Sequence, residues 1–167
     1  MTPAPNDGIN LSPLAILLDP QVVTSNKTVT VDMASQGNRL GVRAGIFSFV
    51  CGASGDTLSG SLKATLTMKE GDLANGSDAV ACPAEAVLST AGVGMDAQGN
   101  AYSESTGVVA VVDASSKDQS VYQIQYKGKK RYVTLAITLT GTHTNGTPWT
   151  ILSSFIGHRR IGSAEGL

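Results

Sequence analysis

Charged side chains are scarce in this chain. They make up 15% of its 167 residues, against roughly 25% in a typical soluble domain. The net charge is −1, from 12 basic and 13 acidic residues, which argues against broad electrostatic binding to nucleic acid. A surface rich in Ser, Thr, Gly and Ala fits either a plain small-residue β-protein or a protein whose surface is partly covered by other protein molecules.

Cysteine and long apolar runs are equally scarce. Cys51 and Cys82 are too few for a disulfide scaffold, and we favour two free thiols in a reducing compartment over a single bridge between them. The longest apolar run near the N-terminus, residues 14–18, is far too short to cross a bilayer. A secretory signal would show a basic region followed by an apolar stretch, and we find no such pattern near the N-terminus. We therefore expect no membrane partner.

Helical periodicity is missing too, whereas the alternation of apolar and polar side chains that marks half-buried strands recurs along the chain. It is clearest over residues 61–69, where Leu62, Ala64, Leu66 and Met68 face one way. About seven short strands, each with one apolar face to hide, predict an all-β protein with a two-sheet antiparallel β-sandwich. The predicted strands are residues 22–33, 42–51, 61–69, 107–113, 119–126, 131–140 and 149–156.

Prolines recur near the N-terminus and predict an extended arm over residues 1–22, because proline blocks helix and removes a backbone donor. The arm carries Leu14, Ile16 and Leu17, whose apolar side chains need burial. Two alternatives stay open. The arm either folds back as an edge strand of its own sandwich or lies on a neighbouring subunit.

The sandwich domain is expected over residues 23–160, with a frayed tail at residues 161–167. Within it, residues 71–105 break the strand rhythm with Gly, Asn, Ser and Asp. A stretch this long predicts an inserted loop that projects from one end or face of the sandwich. Pro83 favours a helical turn inside this loop, since proline suits the first helical position.

The glycine and lysine at 128–129 predict a two-residue type II′ turn that joins the two following strands into a hairpin. That register pairs Ile124 with Val133, and it pairs Tyr126 with Arg131, which places a guanidinium on a tyrosine ring as a cation–π contact. One face of the predicted hairpin then collects the apolar side chains Tyr122, Ile124, Val133, Leu135, Ile137 and Leu139.

Four cations cluster at the tip of the predicted hairpin: Lys127, Lys129, Lys130 and Arg131. Lys127 and Lys130 would face each other across the turn, and like charges directly opposite cost stability. Two interpretations stay open: lysines that protect the tip from pairing with other strands, or a docking site for an acidic protein surface. No wider basic field surrounds the tip, so we expect no direct nucleic-acid partner.

Residues that could carry chemistry are sparse. His143 lies in a turn and His158 beside two arginines. Neither has a second ligand at short spacing, so we expect solvated loop histidines rather than a metal site. The spacing of Glu70, Asp72 and Asp78 matches no calcium loop, which favours turn roles for them. No motif of a nucleophilic or phosphate-binding site occurs, and we predict no enzyme, metal or cofactor.

The run from Tyr126 through Gly128 and Arg131 to Val133 resembles a Y-x-G-x-K-R-Y-V hairpin of small virion proteins of tailed bacteriophages. The Thr-rich strand and the apolar strand that follow, ending in Gly-His-Arg, extend the likeness. The chain is similar here to capsid cement or decoration proteins with a jelly-roll sandwich. The resemblance covers mainly residues 119–160, and the loop at 71–105 is longer than the usual loop of that family.

The resemblance implies a binding role on the virion, at the outer surface of the capsid, after synthesis in the bacterial host cytoplasm. Such proteins act as dimers or trimers and clamp neighbouring major capsid protein subunits. A ligand that binds only the intact lattice shifts it away from disassembly. The alternatives are a head–tail connector or tail structural protein, and a carbohydrate-binding sandwich, which would need exposed aromatic side chains on one sheet. The predicted contact residues are Lys127, Lys129, Lys130, Arg131 and Tyr132 of the tip and Leu14, Ile16 and Leu17 of the arm.

Overall fold

The computed structural model describes residues 9–11, 14–34 and 42–158, with side chains described over 14–34 and 44–156. None of the helical segments in these ranges is long and apolar enough to cross a membrane. The described residues form twelve strands and one 3-10 turn (Ala84–Ala86). The strands are β1 (Ile9–Leu11), β2 (Ala15–Val23), β3 (Lys27–Asp32), β4 (Val42–Cys51), β5 (Lys63–Gly71), β6 (Val80–Ala81), β7 (Val87–Ser89), β8 (Gly92–Val93), β9 (Val108–Val112), β10 (Val121–Tyr126), β11 (Tyr132–Thr140) and β12 (Thr147–His158).

The strands build two antiparallel sheets that pack face to face. Sheet A runs β12–β4–β10–β7–β8, with β1 and β2 both paired to the outer side of β12. Sheet B runs β3–β11–β5, with β6 and β9 both paired to β5. The longer strands therefore follow the order β2–β12–β4–β10 in one sheet and β3–β11–β5–β9 in the other, which is the order of a jelly roll. The predicted all-β sandwich of jelly-roll type is confirmed.

The core lies between the sheets and is filled by the alternate side chains of each strand. Phe47 and Phe155 from sheet A meet edge to face, with ring centroids 6.2 Å apart. Each fully buried aliphatic or aromatic side chain contributes about 1.5–3 kcal/mol to folding. The predicted inward face of β5 is confirmed, since Ala64, Leu66 and Met68 are buried. The following alternate side chains of β12 are buried as well: Trp149, Ile151, Ser153 and Phe155.

The predicted hairpin between β10 and β11 is wrong. β10 lies in sheet A, where Tyr126 pairs with Gly45 and Val87, whereas β11 lies in sheet B, where Tyr132 pairs with Asp32. Residues 127–131 cross from one sheet to the other, and we call them the basic crossing. Alternation shows which face of a strand is buried. It cannot show whether two such strands are neighbours in one sheet or face each other across the core.

Gly128 has a steric role that differs from the predicted turn. It is absent from the glycines with positive φ, so the type II′ conformation does not form. A Cβ at this position would lie 2.4 Å from ring atoms of Tyr126. A glycine is needed because the tyrosine ring lies directly against the backbone of the crossing.

The N-terminal arm takes the first of its two alternatives, since β2 is an edge strand on β12. Its register is irregular between Trp149 and Leu152 of β12, where Gln21 pairs with the former and Ile16 with the latter. Pro20 fits this position, because proline has no N–H to donate and is confined to edge strands and bulges.

Residues 71–105 pack onto the sandwich, so the prediction of a projecting loop is wrong. β6 extends sheet B beside β5, and β7 extends sheet A beside β10. The segment also buries Cys82, Ala86, Val87 and Tyr102 in the core. These few apolar side chains are separated by turn residues and show no periodicity, which hid the packing from sequence analysis. The predicted helical turn is a 3-10 turn that begins directly after Pro83.

Candidate interaction surfaces

Hydrogen bonds fix the position of the basic crossing relative to both sheets. The hydroxyl group of Tyr126 donates to Glu70 Oε2 of β5 at 2.6 Å and accepts the backbone N–H of Lys130 at 3.1 Å. The backbone N–H of Lys127 donates to Ala86 O at 2.9 Å. Burial, together with the hydrogen bond to the Glu70 carboxylate, raises the pKa of Tyr126 above its ordinary value. Tyr126 and Glu70 therefore fix the path of the crossing from inside the protein.

Two cations of the crossing pair with carboxylates of sheet B. Lys130 Nζ binds Asp72 Oδ2 just after β5. The Arg131 guanidinium binds both carboxylate oxygens of Asp32, at 3.2 and 2.8 Å. These hydrogen bonds raise the pKa of Lys130 and of Arg131. The pairs lie at the surface, so they position the crossing more than they stabilise the fold.

The predicted cation–π contact between Tyr126 and Arg131 is wrong, because Tyr126 points into the core. Arg131 instead lies over the ring of Tyr132, with its central carbon 5.1 Å from the ring centroid. Tyr132 is half-buried. Its contact with Arg131 leaves both side chains engaged within their own chain.

Lys127 and Lys129 remain as the open charges of the crossing. Both are exposed, and in the described part of the chain neither forms an ion pair. Lys130, Arg131 and Tyr132 are thus occupied in holding the crossing. Lys127 and Lys129 can form ion pairs with another molecule without breaking any of their own.

The predicted contact residues of the arm separate in the same way. Leu14 and Ile16 are 63% and 58% exposed. Leu17 packs against the core of its own chain. Leu14 and Ile16 therefore present apolar surface at the edge of sheet A, whereas Leu17 already contributes to the sandwich.

The outer faces of the two sheets differ in chemistry. The face of sheet B carries threonines together with Lys63 and Lys69 of β5, which pair with Thr140 and Thr134. The opposite face, on sheet A, is formed by aliphatic, serine, threonine and glutamine side chains of β4, β10 and β12. One side of the sandwich thus resembles an ordinary solvated sheet, and the other does not.

His143 is buried, so the prediction of a solvated loop histidine is wrong for this residue. Its Nε2 lies 3.1 Å from Thr140 O, and its Nδ1 lies 3.7 Å from Asp56 Oδ2. Asp56 also accepts the backbone N–H groups of Asn145 and Gly146, at 3.0 and 2.8 Å. The hydrogen bond from Asn145 is the main cause that lowers the pKa of Asp56. Asp56 is remote in sequence, and so no local motif could predict this contact between two loops. The side chain of His158 lies outside the described residues.

The thiols and the remaining carboxylates have structural surroundings. Cys51 and Cys82 are free and buried, in agreement with the favoured alternative. Burial raises the pKa of each thiol to about 12, so both thiols are protonated near neutral pH. Asp78 accepts the backbone N–H groups of Asp72 and Leu73, at 2.7 and 3.2 Å, so its turn role is confirmed.

Within residues 9–11, 14–34 and 42–158, no group of three or more His, Cys, Asp or Glu side chains is placed to hold a metal ion.

Comparison of the chain with protein-family models, with curated proteins and with solved structures finds no match.

Proposed function

We propose that this chain is a structural protein of a bacteriophage virion. It binds the outer surface of the capsid and stabilises it by clamping neighbouring major capsid protein subunits. The resemblance of residues 119–160 to capsid cement proteins supports this proposal, and the jelly-roll order of the strands agrees with the fold that the resemblance implies. The clamp acts by mass action, because it binds the assembled lattice and not the free subunits.

One observation carries the proposal: large apolar side chains are left on the surface, whereas the carboxylates of Glu70 and Asp56 serve the fold. Glu70 and Asp56 accept hydrogen bonds from their own chain, whereas Leu14, Ile16 and Val121 are each more than half exposed. Exposed aliphatic side chains and cations without an intramolecular partner are both typical of surfaces that bind protein.

A carbohydrate-binding sandwich gains no support from the placement of the aromatic residues. Such a site needs exposed rings on one sheet. Trp149, Tyr102, Tyr122 and Tyr126 are all buried, as are the three phenylalanines. Only Tyr132 is partly exposed, and its ring is covered by Arg131.

The test uses virions of the phage that encodes the chain, stripped of this protein and then incubated with recombinant chain. We expect the wild-type chain to rebind at hundreds of copies per particle and to raise the temperature at which the capsid releases its DNA. The double variant Lys127→Glu/Lys129→Glu should bind at least about tenfold more weakly, because it reverses the open charges of the crossing. Both should keep the circular dichroism spectrum of the folded chain.

The double variant Lys63→Glu/Lys69→Glu is the matched control. It makes the same charge change on the outer face of sheet B, and it should bind like the wild type. Equal occupancy for all three chains would remove the basic crossing from the contact. Failure of the wild-type chain to bind stripped capsids, or a dozen copies or fewer per native virion, would overturn the proposed function and favour a connector.

A further inference from the structure

Asparagine is followed by glycine twice in this chain, at residues 75–76 and 145–146. Each pair lies between strands, and both asparagines are exposed. Glycine has no side chain to obstruct its backbone nitrogen, so this nitrogen can approach the side-chain carbonyl carbon of the preceding asparagine closely. The two pairs share this chemistry, and only their surroundings differ.

Asn145 and Gly146 are bound by hydrogen bonds to the loop that follows β4. The side-chain Nδ2 of Asn145 donates to Gly55 O at 3.1 Å and to Asp56 Oδ1 at 3.2 Å. The backbone N–H groups of Asn145 and Gly146 donate to the two carboxylate oxygens of Asp56, at 3.0 and 2.8 Å. Hydrogen bonds to a carboxylate are strong, and Gly146 is buried. The glycine nitrogen and the asparagine amide group are therefore both fixed in place.

Asn75 lies in the exposed turn between β5 and β6, and its side chain is bound differently. The backbone N–H of Ser77 donates to Asn75 Oδ1 at 3.0 Å. Within the described residues, Nδ2 of Asn75 makes no hydrogen bond. The backbone N–H of Gly76 donates to Leu73 O of the same turn at 3.0 Å. A hydrogen bond between neighbours in an exposed turn opens at little cost in free energy.

The hydrogen bond at Asn75 suits attack on its side-chain amide. Negative charge develops on Oδ1 when a nitrogen adds to Cγ, and a donor already placed at that oxygen stabilises this charge. The backbone N–H of Ser77 is such a donor. At Asn145 the side-chain hydrogen bonds come from Nδ2 instead, and they must break before the side chain can turn towards the glycine nitrogen.

We propose that Asn75 is a site of spontaneous deamidation in the folded chain, whereas Asn145 is protected. The backbone nitrogen of Gly76 forms a bond to Asn75 Cγ and the Cγ–Nδ2 bond breaks, so that a succinimide ring forms. Nδ2 leaves as ammonia, with the proton that the Gly76 nitrogen has lost. Water then opens the ring at either carbonyl group, which gives aspartate or isoaspartate. The whole reaction consumes one water molecule and releases one ammonia.

Deamidation changes a turn that borders the basic crossing. Asp78 of this turn accepts the backbone N–H groups of Asp72 and Leu73, and Asp72 binds Lys130 of the crossing. The product adds a negative charge to this turn, and isoaspartate also adds a carbon atom to its backbone. The age of the molecule, and not another protein, would set the extent of this change.

Incubation of the purified chain at mildly alkaline pH tests the proposal. Peptide mass spectrometry follows both sites, and enzymatic methylation counts isoaspartate. We expect Asn75 to be converted at least about tenfold faster than Asn145 in the folded chain. In concentrated urea the two rates should agree within about threefold, because unfolding removes the hydrogen bonds of both sites. Asn75→Gln should remove the fast product, because the longer side chain closes a ring far more slowly.

Asp56→Ala is the matched variant for the protected site. It removes the acceptor that holds Asn145 and Gly146, so it should raise the rate at Asn145 at least about fivefold and leave the rate at Asn75 unchanged. Thermal unfolding shows whether this variant folds, and the comparison of the two sites in the wild-type chain carries the test if it does not.

The folded wild-type chain can overturn the proposal in three ways. These are equal rates at the two asparagines, faster conversion of Asn145, and no conversion of Asn75. Faster conversion of Asn145 would mean that Asp56 removes the proton of Gly146 rather than protecting the site. The measurement uses the pure chain without capsids, so its outcome is independent of the proposed function.

Discussion

At the scale of single residues, the contact between Tyr126 and Glu70 links the two sheets. Tyr126 ends β10 in sheet A, Glu70 lies on β5 in sheet B, and both are buried. A buried carboxylate requires hydrogen-bond donors, because it has lost its hydration. Among the described residues, the Tyr126 hydroxyl group is the side-chain donor to Glu70.

Replacement of Tyr126 by Phe should therefore lower the free energy of unfolding by about 1–3 kcal/mol, the cost of leaving a buried polar group without its partner. Equilibrium denaturation in urea measures this. Tyr132→Phe is the matched control, since its hydroxyl group makes no hydrogen bond within the described ranges, and should change stability by less than about 0.5 kcal/mol. Equal losses in the two variants would contradict the role of the Glu70 contact.

At the scale of strands, the sequence predicted where strands lie along the chain and which of their faces is buried. It did not predict which strands are neighbours in a sheet. The strand at 42–51 coincides with β4, and the predicted inward residues of β5 were correct. Both results follow from alternation, which is a local property. Pairing depends on contacts between distant residues, and so β10 and β11 were joined wrongly. The burial of His143 was missed for the same reason, since its partner Asp56 lies on another loop.

The connection from β11 to β12 depends on a glycine that cannot be replaced. Gly146 has φ of +69°, and a Cβ there would lie 2.7 Å from Val23 O. Gly94 has almost the same φ, +68°, but its nearest neighbour, Ala84 Cβ, would be 3.5 Å away. An alanine at either position would be strained, because both backbones are in the left-handed region. Only at Gly146 would its Cβ also clash with a backbone atom.

We expect Gly94→Ala to cost about 1 kcal/mol and Gly146→Ala at least about 2 kcal/mol more. Urea denaturation of the two variants against the wild type gives both values. If both variants lose a similar amount of unfolding free energy, then β2 moves away from the loop without loss of stability.

At the scale of the whole molecule, the sequence predicted the fold class because few charges, many turn residues and repeated alternation are typical of an all-β sandwich or barrel. The jelly-roll type came from the resemblance at residues 119–160, although the segment that carries it is a crossing and not a hairpin. The candidate contacts at the crossing were predicted only as a group. Which of these cations are already paired depends on Asp32 and Asp72, which bind Arg131 and Lys130. Both carboxylates are distant in sequence, so the sequence alone does not show that they lie beside the crossing.

The rates at which the two thiols react with a reagent test whether the molecule unfolds as one unit. A pKa of about 12 keeps Cys51 and Cys82 protonated at pH 8, and burial excludes reagents. Cys51 lies on β4, whereas Cys82 lies in the segment that follows β5. We expect the variants Cys51→Ser and Cys82→Ser to react with a thiol reagent at equally slow rates, which rise together with urea concentration.

The fully unfolded chain in concentrated urea gives the reference rate for both variants. Fast labelling of Cys82 under native conditions, with Cys51 still protected, would mean that residues 71–105 open separately from the sandwich.

The position of β12 has a consequence for biosynthesis. It follows every other strand of the described residues, yet it lies between β4 and the pair β1 and β2 in sheet A. Until the ribosome has released this strand, β2 and β4 lack a shared neighbour and expose unpaired backbone groups along their length. Sheet A therefore closes only after β12 has been synthesised, and a product terminated before β12 would carry two unpaired strand edges instead of one continuous sheet.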